Sequence, residues 1–385
     1  MKKQITVLFV LILCICSFSA NSVWAYKTEK IFKKSFEASS GHTLSIENRY
    51  GNINVQTWDK NEVHIEVVVK VEMQSENKVN NLLSQIDIVF GQANKIISAK
   101  TTFPKNFNCN NCNMNIDYQV MVPKGLHYII NHKYGNVKLP DISGNTNLTV
   151  HYGNLNTGNH SGEKSIVEVY GNFDAGDYTG NLNNIDVKYG NINMKKLIGS
   201  SNLVNAKYNS IVAINQISKL KMNIKYSKLK INTAEELYIE SGYTNTTIGK
   251  TKKLNVTSKY ENYDIGEADE IDANFEYTNV SIEKLAKSIK ISEIKYGKLK
   301  IDYVSTDFEL IKADSKYTNF NITFDPKTSY NINLYNNYGN ISVPSGNISR
   351  SEPSSNSIQV TGTVGNGSAK GKVEITNKYA NINLK

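Results

Sequence analysis

The sequence has few cysteines, only one long hydrophobic run, and none of the short motifs that mark common enzymes. Its 385 residues include four cysteines, and the apolar run covers residues 5–18. The HExxH zinc signature, the phosphate-binding loop, the dinucleotide fingerprint and the GxSxG nucleophile elbow are all absent. These absences argue against a zinc protease, a nucleotide-dependent enzyme and a serine hydrolase, and we expect no cofactor.

The first 25 residues have the organisation of a secretory signal peptide. Lys2 and Lys3 precede the apolar run, and Val23-Trp24-Ala25 supplies small residues where a signal peptidase reads. We therefore expect export, with cleavage before Tyr26. The mature chain would lie in the periplasm, on the outer cell surface or in the medium. The alternative is an uncleaved anchor, which a run this short disfavours.

Two of the cysteines lie in the apolar run, and the other two, Cys109 and Cys112, belong to the mature chain. An oxidising compartment favours a local disulfide between them. A metal site would need two more ligands, for which His127 and His132 are the nearby candidates. A thioredoxin-like redox pair would need a helix after the first cysteine, which this Asn-rich segment does not indicate.

The charge balance is mildly basic. Without Lys2 and Lys3 the chain keeps 42 basic and 35 acidic residues, a net charge of 42 − 35 = +7. No cluster of basic residues stands out, so nucleic acid is not an expected partner. The excess favours loose attraction to anionic surfaces, and the alternative is that it only serves solubility.

Residues 220–231 show a local pattern of alternating apolar residues. Apolar residues alternate up to Tyr226, then skip two positions, and the alternation resumes: Leu220, Met222, Ile224, Tyr226, Leu229 and Ile231. Alternation predicts a β-strand with one buried face, and the wider step predicts a corner.

This pattern recurs along the chain. A tyrosine is followed by small or polar residues and usually by an apolar one, at spacings of 17 to 21 residues. The copies begin at Tyr134, Tyr152, Tyr170, Tyr189, Tyr208, Tyr226, Tyr243, Tyr260, Tyr277, Tyr296, Tyr317 and Tyr338, and Tyr50 and Tyr379 are outlying copies. So many near-consecutive copies indicate a repeat architecture.

One repeat holds two short strands, which are too few to close a core alone. Stacking the repeats in parallel and in register pairs every strand. The sequence therefore predicts an all-β, single-stranded parallel β-helix, or β-solenoid, with coils of about 18 residues that each advance about 4.8 Å. The Gly-Asn, Asn-Ser and Thr-Asn pairs after the tyrosines are expected to supply the positive φ of the corner.

The tyrosines fall at the same alternating positions as the apolar residues before them, which are expected to face the core. We expect the rings to lie inward or at the corner, stacked into a structural ladder. The alternative is an exposed aromatic strip that binds sugar rings.

The expected organisation has four parts. After the signal peptide at 1–25, residues 26–131 form a β-meander cap that includes the first coil, one long strand from Val63 and one short helix from Glu76 to Ser84. Residues 132–343 form the repeats. Residues 344–385 form a surface loop at 345–357 and a final coil, so that the chain ends inside the stack.

Catalytic groups are hard to find in this sequence. A glycosidase needs two carboxylates at a fixed separation, and no pair stands out among the acids of neighbouring coils. These acids are Asp174, Asp177, Asp186, Asp264, Glu267, Asp269, Glu270 and Asp272. His151 is expected to be outward and solvated. We therefore predict that the protein is not an enzyme.

Several segments resemble a bacterial envelope family known as putative adhesins. They are Leu44-Ser-Ile46, Tyr50-Gly-Asn-Ile-Asn-Val55, Thr57-Trp-Asp59 with Glu62-Val63, Tyr118-Gln-Val120 with Val122-Pro123, the Tyr-Gly-Asn coils and Gly371-Lys-Val373-Glu-Ile375. The resemblance implies a right-handed parallel β-helix in an exported protein of unknown function. The family has no defined catalytic or binding residues, and the later coils here depart from Tyr-Gly-Asn.

The resulting hypothesis is a non-enzymatic exported β-solenoid that contacts a partner through its surface. Five lysines form a candidate basic face: Lys219, Lys221, Lys225, Lys228 and Lys230. An anionic glycan or another cell-surface component is the expected partner. The alternatives are a polysaccharide-processing β-helix enzyme and a passive envelope scaffold.

Overall fold

The computed structural model describes residues 25–109 and 111–385, and this part of the chain is all-β. It contains twenty-six strands and one helix. The predicted signal peptide lies, except for Ala25, outside the described residues. Among those residues, no helix is both long enough and apolar enough to cross a membrane.

The N-terminal part carries the one helix of the described chain. Its elements are β1 (Tyr26–Glu37), β2 (Thr43–Arg49), β3 (Ile53–Thr57), β4 (Glu62–Met73), α1 (Glu76–Ser84), β5 (Asp87–Ala93), β6 (Ile96–Thr102) and β7 (Asn113–Val122). β4 pairs antiparallel with β1 and β7. The predicted helix is confirmed, and its buried side chains Val79, Leu82 and Leu83 recur on one face.

The repeats follow as two columns of strands. The first strand column runs up to each repeat tyrosine, and the second begins just after it. The elements are β8 (His127–Lys133), β9 (Val137–Leu139), β10 (Thr146–His151), β11 (Leu155–Thr157), β12 (Lys164–Tyr170), β13 (Phe173–Tyr178), β14 (Leu182–Lys188), β15 (Ile192–Leu197), β16 (Ser201–Lys207), β17 (Val212–Lys225), β18 (Lys228–Gly242), β19 (Asn245–Val304), β20 (Leu310–Phe324), β21 (Tyr330–Asn337) and β22 (Ile341–Ser342). From β17 to β20 the strand hydrogen bonding continues through corners, so one strand can serve both columns.

Pairing between repeats is parallel and in register. β10 pairs with β8 on one side and β12 on the other, so that Leu148 lies beside Ile130 and Val167. β11 pairs in the same way with β9 and β13. Because side chains alternate across a strand, parallel pairing in register collects the apolar ones on one face.

The predicted alternation is confirmed in the core. Five of the six apolar positions read from the central stretch are at most 1% exposed: Leu220, Met222, Ile224, Leu229 and Ile231. The sixth, Tyr226, is outside, as described below.

The C-terminal segment differs from its prediction. Its strands are β23 (Gly346–Ser354), β24 (Ser357–Val364), β25 (Gly371–Lys378) and β26 (Ile382–Leu384). Instead of a surface loop at 345–357, β23 and β24 form an antiparallel hairpin, and β24 also pairs antiparallel with β21. Val360 and Val364 are buried on β24, whereas β23, which replaces the predicted loop, is largely exposed and is held by its pairing with β24.

The last strands lie within the stack. β25 pairs in parallel with both β20 and β21, and β26 pairs with both β20 and β22. The final repeat is therefore inserted between two repeats that precede it in the chain.

Candidate functional site

The repeat tyrosines form an exposed stack along one edge of the molecule. In spatial order this tyrosine ladder comprises Tyr50, Tyr134, Tyr152, Tyr189, Tyr208, Tyr226, Tyr243, Tyr260, Tyr277, Tyr296, Tyr317, Tyr379 and Tyr338. Neighbouring ring centres within each stacked pair are 4.8 to 5.5 Å apart. Except for half-buried Tyr50, the rings are 38 to 67% exposed. The rings are stacked at the corner, as predicted, but they do not lie inward, because the chain reverses its side-chain parity at the corner.

The cause of that reversal is the backbone of the tyrosine itself. Every ladder tyrosine has a positive φ, between 49° and 71°. Of the residues that directly follow a repeat tyrosine, only Gly51, Gly135 and Gly171 have the positive φ predicted for them. A left-handed conformation costs an L-residue with a side chain about 1 to 2 kcal/mol, and ring stacking between neighbouring repeats offsets part of that cost.

Tyr170 is the exception among the predicted ladder residues. It has no positive φ, and Gly171 has φ +146° instead. Its ring is perpendicular to those of Tyr152 and Tyr189, at centre distances of 6.5 and 6.2 Å. It stacks instead on His151, at 4.3 Å.

A row of basic side chains runs beside the ladder. The register pairs Arg49 with Lys133, and Lys207 with Lys188 and Lys225. The basic row comprises the residues that directly precede nine ladder tyrosines: Arg49, Lys133, Lys188, Lys207, Lys225, Lys259, Lys295, Lys316 and Lys378.

Several of these cations lie against the rings. Arg49 is 4.8 Å from the centre of the Tyr50 ring, and Lys259 is 5.2 Å from that of Tyr260. Cations at these distances are attracted to the ring electrons. One acid interrupts the row, Glu276, and Lys259 pairs with it at 2.9 Å.

On the other side of the ladder lies a row of asparagines. The asparagine row comprises the residues two positions after a repeat tyrosine: Asn52, Asn136, Asn154, Asn172, Asn191, Asn245, Asn262, Asn279, Asn319, Asn340 and Asn381. In the first repeats the side-chain oxygen of each asparagine accepts a hydrogen bond from the backbone N–H of the equivalent asparagine in the next repeat. For example, Asn154 N–H donates to Asn136 Oδ1 at 3.0 Å. This ladder of amide contacts holds neighbouring corners in register.

The five lysines predicted as a basic face do not share one strand column. Lys219, Lys221 and Lys225 lie in the first column, whereas Lys228 and Lys230 lie in the second, beyond the corner at Tyr226.

Lys219 pairs with Glu236 at 3.1 Å. Only Lys225 belongs to the basic row. The signal that sequence reasoning missed is the recurring Lys-Tyr or Arg-Tyr dipeptide, which places a cation directly before nine of the thirteen ladder tyrosines.

The acids that line one groove lie on separate repeats. A groove of about 630 Å³ on the first strand column is lined by Glu240, Asp272 and Asp314, with lysines among them. The ladder order puts Asp272 two repeats from each of the other two. Two strand spacings are about 10 Å, which is well beyond the carboxyl separation of about 5 to 5.5 Å in a retaining glycosidase and at the upper limit, about 9.5 Å, of an inverting one.

The cysteines and histidines that were considered as metal ligands have other contacts. Cys109 and Cys112 are joined as a disulfide, with their Cα atoms 5.4 Å apart. His132 is buried and hydrogen-bonded to the carbonyl of Gly51 at 2.9 Å, and His127 accepts from the backbone N–H of Asn145 at 2.7 Å. No group of three or more metal-ligating side chains occurs in the part of the chain that the structure describes.

His151 is half-buried rather than freely solvated. Its Nε2 lies 3.1 Å from Glu168, and its ring stacks on Tyr170.

One buried acid was not foreseen. Glu261, directly after a ladder tyrosine, is 4% exposed and points into the core. Ser241 donates to Glu261 Oε2 at 2.8 Å, and Oε1 has no partner among the described residues. Burial raises the pKa of Glu261 to about 8. Thr244 and Thr278 also directly follow a ladder tyrosine, and both are buried. The inward direction of the residue after the tyrosine could therefore have predicted the burial of Glu261.

No protein-family model and no curated protein matches the chain. Among solved structures, a putative cell adhesion protein from Clostridium sporogenes is 9% identical, over 94% of this chain and 99% of that one, with a TM-score of 0.19. A putative adhesin from Parabacteroides merdae is 13% identical, over 71% and 96%, with a TM-score of 0.31. A putative lipid binding protein from Parabacteroides distasonis is 14% identical, over 77% and 96%, with a TM-score of 0.22.

Proposed function

We propose that this protein is an exported, non-enzymatic β-solenoid that binds an anionic glycan along the tyrosine ladder and the basic row. The solenoid is supported by the parallel pairing of each repeat with the next, as in β8, β10 and β12. The observation that carries the function is the basic row, because it lines up cations from separate repeats on one edge.

The spacing of the row suits a polymer. Successive repeats are about 4.8 Å apart, and a cation precedes nine of the thirteen ladder tyrosines along the stack. Lys207, Lys225 and Lys316 have no ion-pair partner within 4 Å among the described residues. Charges that the protein leaves unpaired are available to a polyanion, and their summed potential attracts it.

The tyrosines contribute mainly through their edges. Stacked rings cover one another's faces, so the hydroxyl groups and ring edges are what a ligand meets along most of the ladder. Phenol hydroxyls donate to and accept from sugar hydroxyls. A passive scaffold would not require cations and hydroxyls to be ordered in adjacent rows.

The test is binding of the mature chain to polygalacturonate, measured by sedimentation or biolayer interferometry. We expect binding that weakens as salt is raised, because exposed charges are screened. Changing Lys207, Lys225 and Lys316 together to Glu should abolish it.

The matched control changes three exposed lysines outside the row, Lys195, Lys230 and Lys287, to Glu, with the same change in net charge. Binding should persist in that control. Equal loss in both variants would show nonspecific attraction, and no loss in the row variant would refute the proposal.

Exposure of the protein on the cell surface can be tested separately. An adhesive or glycan-capturing role requires that the ladder be reachable from outside the cell. Protease treatment of intact cells should degrade the protein, detected with an antibody against the repeats. Full protection until the envelope is opened would refute the surface role and favour an internal scaffold.

A further inference from the structure

We infer that the break in the tyrosine ladder between Tyr152 and Tyr189 is a binding cleft for one six-membered ring of a uronic-acid sugar. The inference deepens the proposed function and rests on it, because the same ladder and basic row supply the site.

The break arises because this repeat is one residue shorter at the corner than its neighbours. Strand pairing places Tyr170 between His151 and Lys188, the residues that precede the two flanking ladder tyrosines. The next residue, Gly171, already lies against Gly153, because a Cβ built on it would be 1.9 Å from the Gly153 carbonyl oxygen. This repeat therefore has no residue at the ladder position.

The missing ring leaves two open faces. Tyr152 and Tyr189 are 60% and 67% exposed, the highest values in the ladder. The next most exposed rings, Tyr243 and Tyr338, are at 53%. Elsewhere inside the ladder a ring has a stacked neighbour on each side, so only here do ring faces open within the stack.

The gap has the width of one ring. Neighbouring ladder rings are stacked at about 5 Å, so two strand spacings, about 9.6 Å, separate Tyr152 from Tyr189. A ring placed between them would have a stacked neighbour at the usual spacing on each side. The pyranose ring suits this position, since its C–H faces are apolar while its hydroxyl groups lie around the edge.

The surroundings form a cleft rather than a flat surface. A cavity of about 550 Å³ is lined by the two open rings, by Tyr170 and by the backbone of Gly153 and Gly171. The perpendicular ring of Tyr170 forms a third wall.

The cleft also carries hydrogen-bond donors. Asn136 and Asn154 line it, and their side-chain oxygens are already used as acceptors of backbone N–H groups. Their Nδ2 groups have no acceptor among the described residues and can donate to sugar hydroxyls.

The local charges favour an acidic sugar. Lys133 Nζ is 5.4 Å from the centre of the Tyr152 ring and has no ion-pair partner within 4 Å in the described chain. Lys188 Nζ is 5.1 Å from the centre of the Tyr170 ring and pairs with Asp186 at 3.2 Å. The other nearby acid, Glu168, faces His151. Lys133 Nζ is closer to the Tyr134 ring, at 4.9 Å, so it lies one repeat before the cleft, and it is the lysine of these two that has no ion pair and is free to meet a sugar carboxylate.

The test is titration of the mature protein with trigalacturonate by calorimetry or by ligand-observed NMR. We expect saturable binding of one molecule per chain. Tyr152→Ala and Tyr189→Ala should each weaken it about fivefold to tenfold, since each removes one stacking face. Inserting a tyrosine between Tyr170 and Gly171 should restore the ladder and abolish binding.

The matched comparison for the rings is Tyr243→Ala, a ladder position with both faces covered, which should weaken trigalacturonate binding less than Tyr152→Ala does. Lys133→Gln should weaken binding of the acidic sugar, whereas Lys195→Gln, at an exposed lysine outside the basic row, should not.

The outcomes separate the two proposals. Binding of polygalacturonate without saturable binding of trigalacturonate would overturn the cleft and leave the proposed function standing. Failure of both ligands would overturn both. Equal binding of neutral maltotriose would overturn the assignment to an acidic sugar, and equal weakening by Tyr243→Ala would overturn the placement in the cleft.

Discussion

Replacing Glu261 by Gln should stabilise the protein near neutral pH and remove much of its loss of stability between pH 4.5 and 8. The carboxyl is buried beside Ser241 and Tyr263, with its Oε1 unpartnered and no cation within ion-pair distance among the described residues. Burial raises its pKa from 4.5 to about 8. Ionising it in the folded state is therefore unfavourable.

The direction of the change in stability with pH follows from the number of protons that the folded and unfolded chains bind. Between pH 4.5 and 8 the folded chain keeps a proton on Glu261 that the unfolded chain has lost, so stability falls as pH rises through this range. For these two pKa values, the loss between pH 5 and pH 8 is about 3 kcal/mol. Glutamine is nearly isosteric and cannot ionise, so the variant should not show this loss.

The assay is urea unfolding followed by far-UV circular dichroism at pH 5 and pH 8. The wild type should lose more stability than E261Q over this interval, by about 3 kcal/mol. Glu283→Gln, at an exposed carboxyl without an ion pair, is the matched control and should behave as the wild type. Equal pH dependence in the wild type and E261Q would refute the account of Glu261.

Three further predictions concern stability. Tyr243→Gly should destabilise the fold by about 1 kcal/mol less than Tyr243→Ala, because both lose the stacked ring but only glycine relieves the positive φ of 56°; equal urea midpoints would refute this. Burial lowers the pKa of His160 to about 4, so stability should fall as pH drops from 6.5 towards 4, and His160→Gln should lessen the fall by up to about 3 kcal/mol in acid-unfolding curves. Leu220→Ala should cost about 2 to 5 kcal/mol in urea unfolding, because the side chain is fully buried, whereas Lys221→Ala beside it should cost little.

The strand pattern and the position of the repeats were predictable because both depend on local periodicity. The alternation at Leu220, Met222 and Ile224 identifies a buried face whatever lies beyond it. The helix at Glu76–Ser84 followed from apolar residues on one helical face in the same way. The C-terminal hairpin could not be read from its Ser- and Asn-rich composition, because pairing with the remote strand β21 orders it.

The candidate site was only partly predictable. The sequence marks every ladder tyrosine and the cation that precedes nine of them, but the direction of the rings depends on the φ at the corner. Tyr152-Gly-Asn and Tyr170-Gly-Asn look identical, and only the pairing of Tyr170 with His151 shows that one ring leaves the ladder. The burial of Glu261 is likewise decided by the corner that precedes it.

By itself, the sequence determined the strands, their buried faces and the spacing of the corners, because side-chain alternation and turn-forming residues act over a few neighbouring positions. The tertiary structure alone decided which residues stand side by side on the ladder edge. Those contacts join repeats about 18 residues apart, and in the last repeat about 60 residues apart. Backbone hydrogen-bond register sets them, and a shift of one residue at Gly171 is enough to exchange a stacked ring for an open cleft.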